Sequence, residues 1–139
     1  MPADLEITSF TDAIATAFGI RGRFNFGHGV ALVDGDGQVL EITMFTDKRV
    51  HTIDSALTWA ACLVGEFDEC SKVLLFSASK SGVADELREA DVELLRAARA
   101  RFADQGVLVV DWLQCDGDVV RSIDLASDGE GWRLAATAA

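Results

Sequence analysis

With only two histidines, one proline and three cysteines in 139 residues, this chain is poor in imidazole and thiolate ligands, in rigid breakers and in disulfide staples. The proline is Pro2, and no linker, repeat or low-complexity stretch follows it, so a single domain over residues 1–139 is expected. Cys62, Cys70 and Cys115 are odd in number and form no CxxC pair. They read as buried small hydrophobes with inert thiols. A zinc site built on them would need His28 or His51 as a fourth ligand, and no ligand spacing supports one. No apolar run approaches the ~20 residues that span a bilayer. The opening MPADLEITSF lacks the basic region and apolar core of a secretory signal, so a cytoplasmic protein without membrane association is expected.

Positive charge is also scarce. Twelve basic residues face 23 acidic ones, for a formal net charge of −11, which favours solubility and repels a phosphate backbone. Basic residues gather loosely at Arg21 and Arg23, at Lys48 and Arg49, and along Arg88, Arg96, Arg99 and Arg101. The last group alternates with acids in a helical pattern and reads as a solvated face, so nucleic acid is not an expected partner. What the chain does have is hydrophobic residues, 50% of the total, enough to build a core without metal or disulfides.

Residues 8–18 place Phe10, Ile14, Ala17 and Phe18 at helical spacing, with Thr8 or Ser9 as cap and Gly19 as stop. Residues 30–33 and 39–45 read as strands around Asp34-Gly35-Asp36-Gly37, a hairpin turn whose likeness to a calcium loop fails beyond its first positions. Residues 53–64 predict a helix with Ala56, Leu57, Ala60, Leu63 and Val64 on one side. Residues 72–77 form a nearly continuous apolar strand, expected at the centre of a sheet covered on both faces. A long helix over 83–103 ends at Gly106. Two strands, 107–113 and 119–125, hinge at Asp116-Gly117-Asp118. Trp132 and Leu134 suggest a short edge strand, with 135–139 as a frayed tail. The fold class is α/β (α+β), a mixed sheet sandwiched by helices.

The segment richest in chemical cues is VLLFSASKSGVADELREAD, residues 73–91. Ser77 and Ser79 leave a buried strand at i and i+2 and so point the same way. Ser81 and Gly82 open the next helix beside Lys80, but the run lacks the glycines of a Walker loop or a dinucleotide fingerprint. On that helix Val83, Leu87, Ala90, Leu94, Ala98 and Phe102 form an apolar stripe, with Asp91 at its edge. Asp91 either hydrogen-bonds nearby serines or amides, leans out to solvent, or faces Ser77 and Ser79 across a small polar pocket. Spacing alone leaves these open.

These residues and the order of elements resemble the JAB/MPN (JAMM) domain in the form found in the bacterial RadC family. That family's strand–turn–helix carries H-x-H-P-S-G and then an aspartate, which together bind zinc. Here the run is Ser77-Ala78-Ser79-Lys80-Ser81-Gly82, with Asp91 at the aspartate position. Residues 106–113 resemble the strand that carries Asp-His, with Trp112 in place of the histidine. The resemblance covers roughly residues 27–125 and implies a cytidine-deaminase-like architecture. It also implies a general-base glutamate in the second strand. Aligning the aliphatics puts Ile42 or Thr43 there, while Glu41 reaches that face only through a bulge.

With both ligand histidines replaced by serine, zinc is not expected, and neither is any other cofactor. His28 and His51 read as loop histidines, and Met44 and Trp59 as core. The leading expectation is a catalytically inactive RadC-like domain that binds protein or serves as a scaffold. The resemblance implies a homodimer or an unidentified protein partner. The alternative is a hydrolase with altered chemistry around Ser77, Ser79 and Asp91. An accessory role in DNA repair is a lesser one, suggested only by the family's history. Ser77, Ser79, Ser81 and Asp91 thus mark a vestigial site, with Glu41 as its candidate base.

Overall fold

The computed structural model describes residues 6–21, 27–45, 52–78, 89–116 and 119–137. Their elements run α1 (Phe10–Arg21), β1 (Gly27–Val33), β2 (Val39–Phe45), α2 (Ile53–Val64), β3 (Lys72–Ala78), α3 (Glu89–Ala103), β4 (Leu108–Asp116), β5 (Val119–Ser122), α4 (Ile123–Ala126) and α5 (Glu130–Thr137). The five strands form one mixed sheet in the order β2-β1-β3-β4-β5. Only β3 and β4 run parallel, as the α3 crossover between them requires. β1 pairs antiparallel with both β2 and β3, and β5 antiparallel with β4.

β3 sits at the centre, and Val73, Leu74, Leu75 and Phe76 are all buried, as their unbroken apolar run predicts. Successive side chains alternate between two core layers. Val73 and Leu75 join Val30, Leu32, Leu57, Ala60, Leu95 and Phe102 beneath α2 and α3. Leu74 and Phe76 join Ala31, Val33, Ala13, Ala17 and Leu113, with Trp132 of α5 packed against them. The molecule is therefore mixed α/β, with helices on both faces of the sheet. Among the described residues no helix is long and apolar enough to cross a membrane.

Several boundaries differ from the sequence reading. The Ser9 hydroxyl caps α1 by accepting from the Asp12 amide at 3.2 Å. The helix runs through Gly19 to Arg21, because Gly19 does not take the left-handed conformation that would end it. Gly106 does take that conformation, at φ 73°, and the Val107 amide folds back on the Phe102 carbonyl to close α3. The stripe on α3 is rotated: Leu95, Ala98 and Phe102 are buried while Ala90 is exposed, and Val83 and Leu87 lie outside the described residues. On α2 the buried side is Ala56, Leu57, Ala60 and Val64, which turns Trp59 outward at 48% exposure rather than into the core. Cys62 is exposed as well, whereas Cys70 and Cys115 are buried, and burial pushes the Cys70 thiol up. Met44 is half-buried and packs against the second core layer.

The largest correction is at the C-terminal end, where strands were expected over 119–125 and at Trp132 and Leu134. β5 stops at Ser122, whose hydroxyl accepts from the Leu125 amide at 3.0 Å and caps α4. Residues 130–137 form α5, not an edge strand and frayed tail. Its first amides are claimed by two carboxylates: Asp128 accepts from Glu130 N at 3.0 Å, and Asp124 from Gly131 N at 2.8 Å and Trp132 N at 3.1 Å. Such bonds satisfy the orphan donors that begin a helix.

Asp124 is fully buried and meets the Arg99 guanidinium at 2.5 Å. Arg99 also donates to the carbonyls of Val109 and Val110, each at 2.9 Å. The β5 ladder begins only at Leu113, so these upstream carbonyls lie beyond its last pair. Arg99 thus leaves the solvated face expected for it. Asp111, also fully buried, accepts from Trp112 N at 2.6 Å, Trp132 Nε1 at 2.7 Å, Asp124 N at 3.0 Å and the Ser122 hydroxyl. Burial outweighs these donors and raises the Asp111 carboxyl above its ordinary 3.8.

Asp124→Ala strands a mostly buried guanidinium and two helix-start amides, and should cost about 3 kcal/mol, read as a lower urea midpoint at unchanged slope. Gly131→Ala should lower that midpoint too, because its Cβ would overlap the Val110 carbonyl and the Arg99 guanidinium. For Asp111 the folded state holds its proton to a higher pH than the unfolded chain. Its contribution is full below 3.8 and is lost as pH rises through the raised value. The stability of wild type minus Asp111→Asn should therefore grow as the pH is lowered toward 3.8, and a flat difference would refute the shift.

Candidate functional site

The ladder fixes one row across the sheet: His28 of β1 lies opposite Ser77 of β3, which lies opposite Gln114 of β4. Paired residues project to the same face, here the side of Val30, Leu75 and Trp112 that α2 and α3 cover. The row lies near the carboxyl ends of the parallel pair β3 and β4, where open α/β sheets commonly place their ligands.

Two groups converge on the Ser77 hydroxyl. His28 Nδ1 lies 2.7 Å from Ser77 Oγ, and Trp112 Nε1–H donates to the same oxygen at 2.7 Å. An indole N–H can only donate, so it takes one lone pair of Oγ. In the Nε2–H tautomer of His28, the serine proton is then directed at Nδ1. Trp112 is buried, 5% exposed, and Ser77 is half-buried. One step further along, Gln114 Nε2 donates to Asp91 Oδ2 at 3.1 Å. Asp91 is half-buried in the first turn of α3, where its charge suits the helix dipole. Its carboxylate thus accepts from a side-chain amide, while Ser79, the other serine of the pocket reading, lies outside the described residues.

Ser77 and Asp91 thus share a face, each engaged by its own partners. Ser79, Lys80, Ser81, Gly82 and His51 lie outside the described residues. Glu41 lies opposite Leu32, on the Ser77 face, beside a register shift that leaves Leu40 unpaired. It is four residues along the ladder from the His28 row, about 13 Å at the usual strand rise, so it is not brought to Ser77.

His28 is the residue that sequence reasoning misplaced. The flanking Gly27 and Gly29 hide the strand, which starts at Gly27 rather than Val30, so spacing alone puts His28 in a loop. Gln114 was missed altogether, although its spacing of two from Trp112 puts both on one face.

Among the described residues, Ser77 and Trp112 make a poor donor set for zinc. Ser77 supplies a neutral hydroxyl already held by two neighbours, and Trp112 has no lone pair to offer a metal. Among the described residues, no three His, Cys, Asp or Glu side chains come together as a metal site. No protein-family model matches the chain, and a search of curated proteins finds no similar sequence.

The bond from Trp112 to Ser77 can be measured directly. A double-mutant cycle on Ser77→Ala and Trp112→Phe should return a coupling on the order of 1 kcal/mol in urea unfolding. Strict additivity would mean that the contact does not contribute.

Proposed function

We propose that this chain is a RadC-like domain of the JAB/MPN type that is catalytically inactive as a metallopeptidase and acts as a protein-binding or scaffold module. One observation carries the reading. The hydroxyl of Ser77, which stands at the first ligand position of the motif, is occupied by Trp112 Nε1 and His28 Nδ1 at 2.7 Å each. Trp112 itself stands where the family's downstream strand has histidine. A strand end whose hydroxyl is engaged by an indole and an imidazole offers no ligand set of the kind that zinc hydrolysis needs.

The five-stranded sheet with helices on both faces accords with the cytidine-deaminase-like architecture that the resemblance implies. Glu41, remote from Ser77 along its strand, supplies no general base there. The chain's acidity weighs against a role on DNA. A second copy or another protein is the partner such a module would take.

Elemental analysis of the purified protein, paired with a peptidase assay, tests the reading. Sub-stoichiometric zinc and no cleavage are expected. Stoichiometric zinc that disappears in Asp91→Ala would overturn it. Light scattering on the same sample separates a homodimer from a monomer that awaits another partner.

A further inference from the structure

We propose that Ser77 and His28 form a nucleophile–base pair that accepts an acyl group from an activated ester. This goes beyond the binding-module reading and does not rest on it, because no metal takes part.

The geometry is that of an activated hydroxyl. Oγ and Nδ1 are 2.7 Å apart, within the reach a general base needs. Both residues belong to a paired ladder, so the contact is set by strand register. Trp112 Nε1–H, fixed on the oxygen at 2.7 Å, has two effects. It occupies a lone pair, so the serine proton is free to point at the imidazole. It also donates to Oγ while that proton leaves, which lowers the cost of passing it to the imidazole. Ser77 is half-buried rather than sealed, at the carboxyl end of the parallel pair.

In the reaction Ser77 Oγ attacks the ester carbonyl carbon and its proton passes to His28 Nδ1. The bond from the carbonyl carbon to the leaving oxygen breaks, and the departing alkoxide takes the proton from the imidazolium. Water, deprotonated by the same nitrogen, then attacks the acyl-serine, releasing a carboxylic acid and restoring the hydroxyl. The indole and imidazole crowd the oxygen, so the substrate class is a small acyl group on a good leaving group. Trp112 acts as a positioning residue, and His28 and Ser77 as the catalytic pair.

The experiment treats the full chain with a fluorophosphonate probe, maps the adduct by mass spectrometry, and follows the phenolate burst with p-nitrophenyl acetate. The expected result is an adduct on Ser77 and a burst of about one equivalent per chain, as acyl-enzyme accumulation gives. Ser77→Ala should abolish both. His28→Gln keeps an amide within reach of Oγ but no base, and should slow labelling on the order of 100-fold while its melting transition stays cooperative. A wild-type chain with no adduct on Ser77 overturns the proposal, whether or not the His28 variant folds. Labelling at wild-type rate in a folded His28→Gln overturns it equally. Neither result bears on zinc content, so the binding-module reading stands or falls separately.

Discussion

The ion pair between Arg99 and Asp124 is the interaction on which the C-terminal third of the molecule depends. Asp124 has no exposure and Arg99 little, so neither charge can be left alone without a large desolvation penalty. The pair is satisfied on all sides. Arg99 serves two β4 carbonyls beyond the reach of β5, and Asp124 serves the first amides of α5. Four elements (α3, β4, α4 and α5) are thereby fixed to one another by a single guanidinium and a single carboxylate. By holding the start of α5, the pair also seats Trp132, which packs against the second core layer and meets the Phe10 ring edge-on.

The parts of the fold that were legible in the sequence are those that local chemistry dictates. The limits of α2 follow from its apolar spacing, the hairpin from its Asp-Gly pairs, and the central place of β3 from four consecutive apolar residues that only a doubly covered strand can bury. The errors fall where tertiary contacts decide. Leu125, Trp132 and Leu134 look like strand residues by type, yet the carboxylate of Asp124 and the cap at Ser122 turn their segments into helices. Arg99 looks solvated beside its acidic neighbours, and nothing local announces a buried partner 25 residues away.

The candidate site divides in the same manner. Ser77 and Asp91 stand out from order and spacing alone, one at the end of an apolar strand and the other at the edge of a helical stripe. The contact of His28 with Ser77 spans 49 residues of sequence and exists only because β1 pairs with β3. Such a juxtaposition depends on ladder register, which a single sequence does not display. The same holds for Gln114, whose amide engages Asp91 from a strand 23 residues downstream.

Asp111 and Trp112 are neighbours in β4, so their side chains leave the sheet on opposite sides. Asp111 receives the indole N–H of Trp132 from α5, while Trp112 gives its own to Ser77 on the other side. The amide that joins the two residues donates to the Asp111 carboxylate as well. One peptide unit is therefore a common fulcrum for both layers. The hold on the C-terminal helix and the hold on the Ser77 hydroxyl thus meet at adjacent residues of one strand.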